Sequence, residues 1–355
     1  MLFKYRYVNH SIARFQEYLD DLVKEVWCKA SGNFSLDLLH PELKIIVEDI
    51  SNDESITTDP LYGPIRRIYE LFRTQLTAAQ REQVAIWCDN NNDIEALCAN
   101  DPRKTPGTYA DIRALNTELE TALKSFCKRL FTQVIKLKAV TSRIGSIEEH
   151  YIEFSRANVE EKCPYCGYLD IRGVNYTTRD AYDHFLPKST YPFNSVNFRN
   201  LAPMCPQCNS NYKLAKDPTK HIDPINEADG ARRKAFYSYA AENPTISVKV
   251  TLKTKDVSDL QPDDIDLTFA APGHDEEVEA WKDVFGIERR YKAKLCAQND
   301  GKAWLQRIVE DCENIGLSRD KLLMYELRAA ERLPYNDAGF LRKPFLIACK
   351  DAKII

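Results

Sequence analysis

Glycine and methionine are sparse, 12 and 3 among 355 residues, and no apolar run approaches the roughly 20 residues that carry a helix across a bilayer. A membrane span is not expected. The opening Met-Leu-Phe-Lys-Tyr-Arg-Tyr lacks the apolar core and cleavage site of a secretory leader, which points to the cytoplasm. No glycine pair has P-loop spacing, so the chain carries no evident NTPase motor of its own. It also lacks a Gly-x-Ser-x-Gly nucleophile elbow, internal repeats and low-complexity segments. The net charge of −4 argues against bulk electrostatic attraction to nucleic acid. Enough apolar residue is present, 44%, to build two or three cores in a soluble protein.

Cysteine is plentiful, at eleven, and its spacing is informative. Cys163-Pro-Tyr-Cys166 and Cys205-Pro-Gln-Cys208 are two Cys-x-x-Cys pairs separated by a few dozen residues. Each pair makes a tight knuckle, and two knuckles close a four-thiolate tetrahedron around Zn²⁺. A structural zinc site is the expectation, since unrelated buried thiols do not account for the paired spacing. The other seven, Cys28, Cys88, Cys98, Cys127, Cys296, Cys312 and Cys349, lie scattered in helical patterns. They read as reduced core or surface thiols.

Between the pairs, Asp183 stands directly before His184, and Asn200 and Asn209 follow. Water attacking a phosphodiester needs a base that is unprotonated near neutral pH, and imidazole meets that need. The charge built on the phosphate oxygens is stabilised by a hard cation on oxygen donors, here Asp183 and the Asn209 amide carbonyl. So few protein ligands suit Mg²⁺ or Mn²⁺, with water and phosphate completing the shell. Neighbouring strand residues face opposite ways, so a bulge or an irregular strand end is expected at Asp183-His184, or a histidine that approaches from the side. With Pro206 opening a helix, Asn209 and Lys213 fall one turn apart on one face, which would bring Lys213 to a substrate phosphate. Lys188 is a second candidate substrate contact.

Asp183-His184-Phe-Leu-Pro-Lys188-Ser, with Asn200-Leu-Ala-Pro-Met-Cys205-Pro-Gln-Cys208-Asn209, resembles the HNH, or ββα-metal, endonucleases in their zinc-stapled branch. More narrowly it is similar to the HNH effectors of Septu-type and retron-linked anti-phage systems. The resemblance covers roughly residues 160–220. It implies that His184 is the general base, that Asp183 and Asn209 hold the catalytic metal, and that Asn200 ties the loop between two strands. It also implies a role in antiviral defence beside an ATPase partner. Asn209 stands where the family name has its last histidine, a variant that leaves metal binding possible. The alternative is a non-catalytic zinc-stabilised module that binds nucleic acid or protein, although a pure binder needs no carboxylate beside an imidazole. DNA and RNA are not distinguished, because no base-reading element is identifiable.

Around the motif the charge balance turns basic. From Lys162 to Lys220 there are eight basic and four acidic residues. Tyr165, Tyr168, Tyr176, Phe185, Tyr191, Phe193 and Phe198 are interleaved, either as a nucleic-acid surface or as a small core. The remaining histidines, His10, His40, His150, His221 and His274, read as surface or capping residues.

The expected fold is α+β: a mainly helical protein carrying a central zinc-stapled ββα-metal module. Residues 1–158 form an N-terminal helical region, 159–222 the nuclease module, and 223–355 a C-terminal α+β region. Ile112, Leu115, Leu119, Leu123, Phe126, Leu130, Val134 and Leu137 step by threes and fours, predicting one unbroken long helix from about Thr108. Its stripe reads as bundle core or as a docking face for the partner. Ser146 and Glu149 form a capping box for the next helix. Residues 231–241 are predicted helical, and the alternations Ile246–Leu252 and Ile265–Phe269 predict a hairpin. Helices resume from Val278 and include Leu322 to Leu333, and Phe345–Cys349 ends the chain as a helical turn or a strand.

Overall fold

A computed structural model describes residues 1–222, 229–242 and 244–355. The protein is mainly helical, with three small two-stranded antiparallel sheets among the described residues. The boundary expected at 222/223 lies at the edge of the described residues.

The N-terminal region contains α1 (Arg14–Asp21), α2 (Pro41–Ser51), α3 (Tyr62–Gln75), α4 (Ala78–Asn92), α5 (Ile94–Cys98), α6 (Tyr109–Leu115), α7 (Thr117–Thr132), α8 (Lys138–Ile144) and α9 (Ile147–Ala157). Helix starts follow the local chemistry. Thr108 and Ser146 cap α6 and α9 through capping boxes with Asp111 and Glu149, each satisfying backbone N–H groups left free at a first turn.

The long helix expected from Thr108 is broken. Asn116 adopts an extended conformation (φ −163°, ψ 124°), and its side chain caps α7 at Leu119 N. Competition from an asparagine side chain for nearby backbone outweighs the unbroken apolar period. The stripe itself is core: Ile112, Leu119, Leu123, Phe126, Leu130 and Val134 are all buried within the chain. It is therefore not available as a docking face.

The centre of the chain holds β1 (Ala181–His184), β2 (Leu201–Met204) and a helical segment that opens at Pro206 and is π-helical over Cys208–Lys213. β1 and β2 pair in a regular register, with Asp183 opposite Ala202 and His184 opposite Leu201. The bulge expected here is absent, so Asp183 and His184 point to opposite faces as ordinary strand residues do.

Beyond it lie β3 (Lys220–Ile222) and β4 (Asp229–Arg232), then the hairpin of β5 (Ser247–Leu252) and β6 (Ile265–Ala270). The helix expected at 231–241 is replaced by the end of β4 and an irregular stretch. Buried tertiary contacts account for this: Phe236 and Tyr237 enter the core, Ala235 N donates to Cys98 O, and Tyr5 N donates to Ser238 O. Then come α10 (Asp275–Phe285), α11 (Ile287–Cys296), α12 (Ala303–Ile315), α13 (Arg319–Arg332) and α14 (Gly339–Asp351), the last containing Phe345–Cys349.

One contiguous apolar core includes residues from all three regions. The first residues seal the middle: Leu2 N donates to Pro164 O and the Tyr5 hydroxyl to Pro203 O. No helix among the described residues is long and apolar enough to cross a membrane.

Candidate functional site

Cys163, Cys166, Cys205 and Cys208 are buried, and their sulfurs all lie within 4.8 Å of one another. A zinc tetrahedron with bonds of about 2.3 Å has S···S edges of about 3.8 Å, and Cys166 and Cys205 sulfurs stand 4.0 Å apart. The four thiols therefore fit a metal ion such as Zn²⁺. The first knuckle turns at Gly167 (φ +78°), whose N–H donates to Cys163 O at 2.7 Å. A Cβ there would come within 2.2 Å of Leu2, so the turn needs glycine for both conformation and space.

The C-terminal helices orient this cluster. Arg290 donates to the Cys208 sulfur at 3.3 Å and to Gln207 Oε1 at 3.0 Å. Tyr291 donates to Cys166 O at 3.0 Å, and the Trp281 indole to Tyr165 O at 2.7 Å. Burial works against the Arg290 charge, but the sulfurs of Cys208 and Cys166 outweigh it and raise its pKa. Such outer contacts fix ligand geometry and favour thiolate.

On one face of β1, Asp183 meets Lys213 from the π-helical segment. The ammonium lies 2.9 Å from Asp183 Oδ2 and donates to His184 O at 2.9 Å. The carboxylate contact is an ion pair by distance, but it falls short of hydrogen-bond geometry and leaves Oδ2 without a hydrogen bond. We treat it as an ion pair, because charge attraction tolerates poor alignment. Burial raises the Asp183 pKa, opposed by Lys213 and Lys188. Lys213 is fully buried, so its ammonium is spent inside the protein. Asn209 lies on the same segment, half-buried, with no side-chain hydrogen bond among the described residues.

On the other face, His184 Nε2 lies 2.8 Å from Ser195 O. A carbonyl only accepts, so Nε2 carries the proton and Nδ1 keeps the lone pair of the neutral ring. Burial, then the charge of Lys188, hold the His184 pKa down at about 3. The Phe131 ring of α7 lies edge-on to the imidazole, with centroids 4.5 Å apart. Lys188 Nζ sits 4.8 Å over that ring. Asp183 and His184 are only 6% and 7% exposed, whereas Phe131 and Lys188 are half-buried.

Asn200 is fully buried between the strands. Its Oδ1 accepts from Leu186 N at 2.8 Å and its Nδ2 donates to Leu186 O at 2.9 Å, so one side chain closes both ends of the β1–β2 connection. The structure thus gathers Asp183, His184, Lys213 and Lys188 around β1, with Asn200 bracing its exit. The cysteine cluster stands at the other end of the same small ladder.

Spacing did not point to the residues that clamp the loop carrying Ser195. Asn91 donates to Pro192 O at 3.0 Å, Gln16 to Phe193 O at 2.8 Å, and Asn197 to Asn92 Oδ1 at 2.9 Å. Phe193 between them has φ +76°, a conformation kept only where surroundings impose it. The available signal was Asn90-Asn91-Asn92 at the end of α4, three poor helix formers whose side chains compete for backbone.

Of the interleaved aromatics, Tyr165, Phe185, Tyr191, Phe193 and Phe198 are core, while Tyr176 is exposed. His150 departs from the surface reading. It is buried with Nδ1 2.5 Å from the Tyr182 hydroxyl, and burial lowers its pKa to about 3. His10 and His40 are caps. A cavity of about 530 Å³, lined by Tyr151, Ile152, Val174, Tyr176 and Arg179, reaches Ala181 but contains none of the expected site residues.

Over 102 residues the chain is 31% identical to the Septu protein PtuB of Bacillus thuringiensis, a match covering 28% of this chain and 37% of that relative. The chain thus spans less than half the length of this curated relative. No family model matches the chain, and no solved structure matches it.

Proposed function

We propose that the chain is a metal-dependent HNH endonuclease that hydrolyses phosphodiester bonds of DNA or RNA as an anti-phage effector. The observation that carries this reading is the pairing on β1. A neutral histidine with its proton fixed on Nε2 by Ser195 O stands next to a buried carboxylate that is ion-paired to Lys213. The order strand, strand, helix around a four-cysteine cluster supports it. So does the similarity to a Septu protein.

In this reading His184 Nδ1 takes the proton of the attacking water, and Asn200 keeps the strand exit rigid so that the lone pair stays aimed. The Asp183 carboxylate, held by Lys213, and the Asn209 amide, which has no side-chain hydrogen bond among the described residues, are the oxygen donors that would hold a hard divalent cation, Mg²⁺ or Mn²⁺. When bound, such an ion supplies charge stabilisation to the phosphate oxygens. Lys213 offsets the charge of Asp183 and ties it to the strand through His184 O. Zinc in the cysteine cluster is structural, because all four positions of its tetrahedron are protein sulfurs.

The resemblance also brings an ATPase partner, which docks on a surface other than the buried Ile112–Leu137 stripe. Incubation of plasmid and tRNA with the purified chain, with Mg²⁺ or Mn²⁺ and with or without EDTA, tests the activity. Metal-dependent cleavage is expected. Binding without cleavage under all conditions, with or without the ATPase, establishes the non-catalytic module instead.

A further inference from the structure

Residues 121–147 contain six basic residues, Lys124, Lys128, Arg129, Lys136, Lys138 and Arg143, and no Asp or Glu. In a chain of net charge −4 this run stands out, and the fold sorts its members. Lys124 pairs with Glu120, and Arg143 with Asp49 and Glu42. Lys128 and Lys136 are exposed and have no ion pair among the described residues.

Their place is set by Phe131. Lys128 and Phe131 are three residues apart on α7 and share a face, and Lys136 closes the short turn Val134–Lys136 that follows. Phe131 touches the His184 ring and carries the Lys188 ammonium over its face. Lys128 and Lys136 are near enough to act on Lys188, whose pKa is lowered first by burial and further by these two charges, against Asp183. The Lys188 ammonium therefore lies over the Phe131 ring at the His184 side of β1, with Lys128 on the same face of α7 and Lys136 in the turn just beyond that helix. Mutual repulsion gives such a cluster no stabilising role within the fold, whereas a polyanion offsets it.

We propose that Lys128, Lys136 and Lys188, gathered around Phe131, form a phosphate-binding rim that receives a nucleic-acid backbone at the Asp183–His184 site. This rests on the nuclease reading for its choice of polyanion. It gives the N-terminal helical region a direct part in substrate binding, with Lys128 and Lys136 as sequence-independent backbone contacts.

The test measures equilibrium binding of labelled single- and double-stranded DNA and an RNA hairpin to the full chain, without added divalent metal so that cleavage does not intervene. The K128A/K136A variant is compared with the unaltered chain and with K350A/K353A, a charge-matched control outside the cluster. The cluster variant is expected to bind about tenfold more weakly near 0.1 M salt. Its plot of log affinity against log salt should be shallower by about 1.5, while the control follows the unaltered chain. Zinc content and thermal unfolding confirm that both variants fold. Equal affinity and slope for the two variants overturns the rim. So does a chain that binds acidic lipid vesicles but no nucleic acid. Binding that depends on the two lysines in a chain that never cuts leaves the rim standing and removes the nuclease reading.

Discussion

Residues 160–220 and residues 1–158 are built on opposite plans. The central stretch has two four-residue strands, one short helical segment and four cysteines, too little regular structure to bury itself. The N-terminal region is a helical body with a continuous apolar interior. In the central stretch the spacing is mostly local in sequence: Asp183 adjoins His184, and each cysteine has a partner three positions away. The N-terminal region instead acts through single side chains that cross more than a hundred residues, such as Asn91 to Pro192 O and Gln16 to Phe193 O. The comparison teaches that the candidate site residues and the frame that holds them come from different parts of the chain.

The largest expected effect breaks the central stretch by its metal. Cys163→Ala or Cys208→Ala should abolish zinc binding and cooperative folding of the module, a loss of several kcal/mol or more because metal binding and folding are one free energy. Elemental analysis with near-ultraviolet circular dichroism checks this. Stoichiometric zinc in a well-folded Cys208→Ala protein would show that the sulfurs are not the ligands.

A smaller effect separates frame from metal. Asn200→Ala removes two buried hydrogen bonds and leaves the Leu186 N–H and carbonyl unpaired, which should cost about 2–4 kcal/mol in urea unfolding. Zinc content should not change. Loss of zinc along with stability would mean that the knuckles and the β1–β2 connection are one unit.

The smallest concerns His150, at the seam between α9 and β1. Its folded pKa, about 3, lies below the unfolded value of roughly 6.5, so the unfolded chain binds the proton first. Its contribution is fully present above about pH 6.5 and is lost as pH falls towards 3, at up to about 1.4 kcal/mol per pH unit. His150→Gln should flatten the fall in urea midpoint between pH 7.5 and 5. Parallel curves for the two proteins would place the acid sensitivity elsewhere.

The same contrast explains how much was legible in the sequence. The cysteine spacing, the capping box at Ser146 and the hairpin β5–β6 are short-range patterns, and the structure places each of those groups accordingly. The long helix failed at Asn116, because periodicity of apolar residues carries no information about one side chain capping the next helix. The helix at 231–241 failed because that stretch is held by Cys98 and Tyr5, far away in sequence. The ladder at β1 is regular and not bulged, with Asp183 opposite Ala202 and His184 opposite Leu201. Here the two faces do different work, Lys213 on one and Ser195 with Phe131 on the other. The acid-free run 121–147 was countable, but its meaning depends on Phe131 reaching His184.

The central claim is that the imidazole on β1 performs chemistry and is not part of the frame. His184→Ala, purified and assayed beside the unaltered chain on plasmid and tRNA with Mg²⁺ or Mn²⁺, and with the proposed ATPase partner present if the chain alone is silent, tests it most directly. The account predicts that cleavage falls by at least about a hundredfold, while zinc content and the far-ultraviolet spectrum stay as they were. Cleavage by the variant at the rate of the unaltered chain would contradict it.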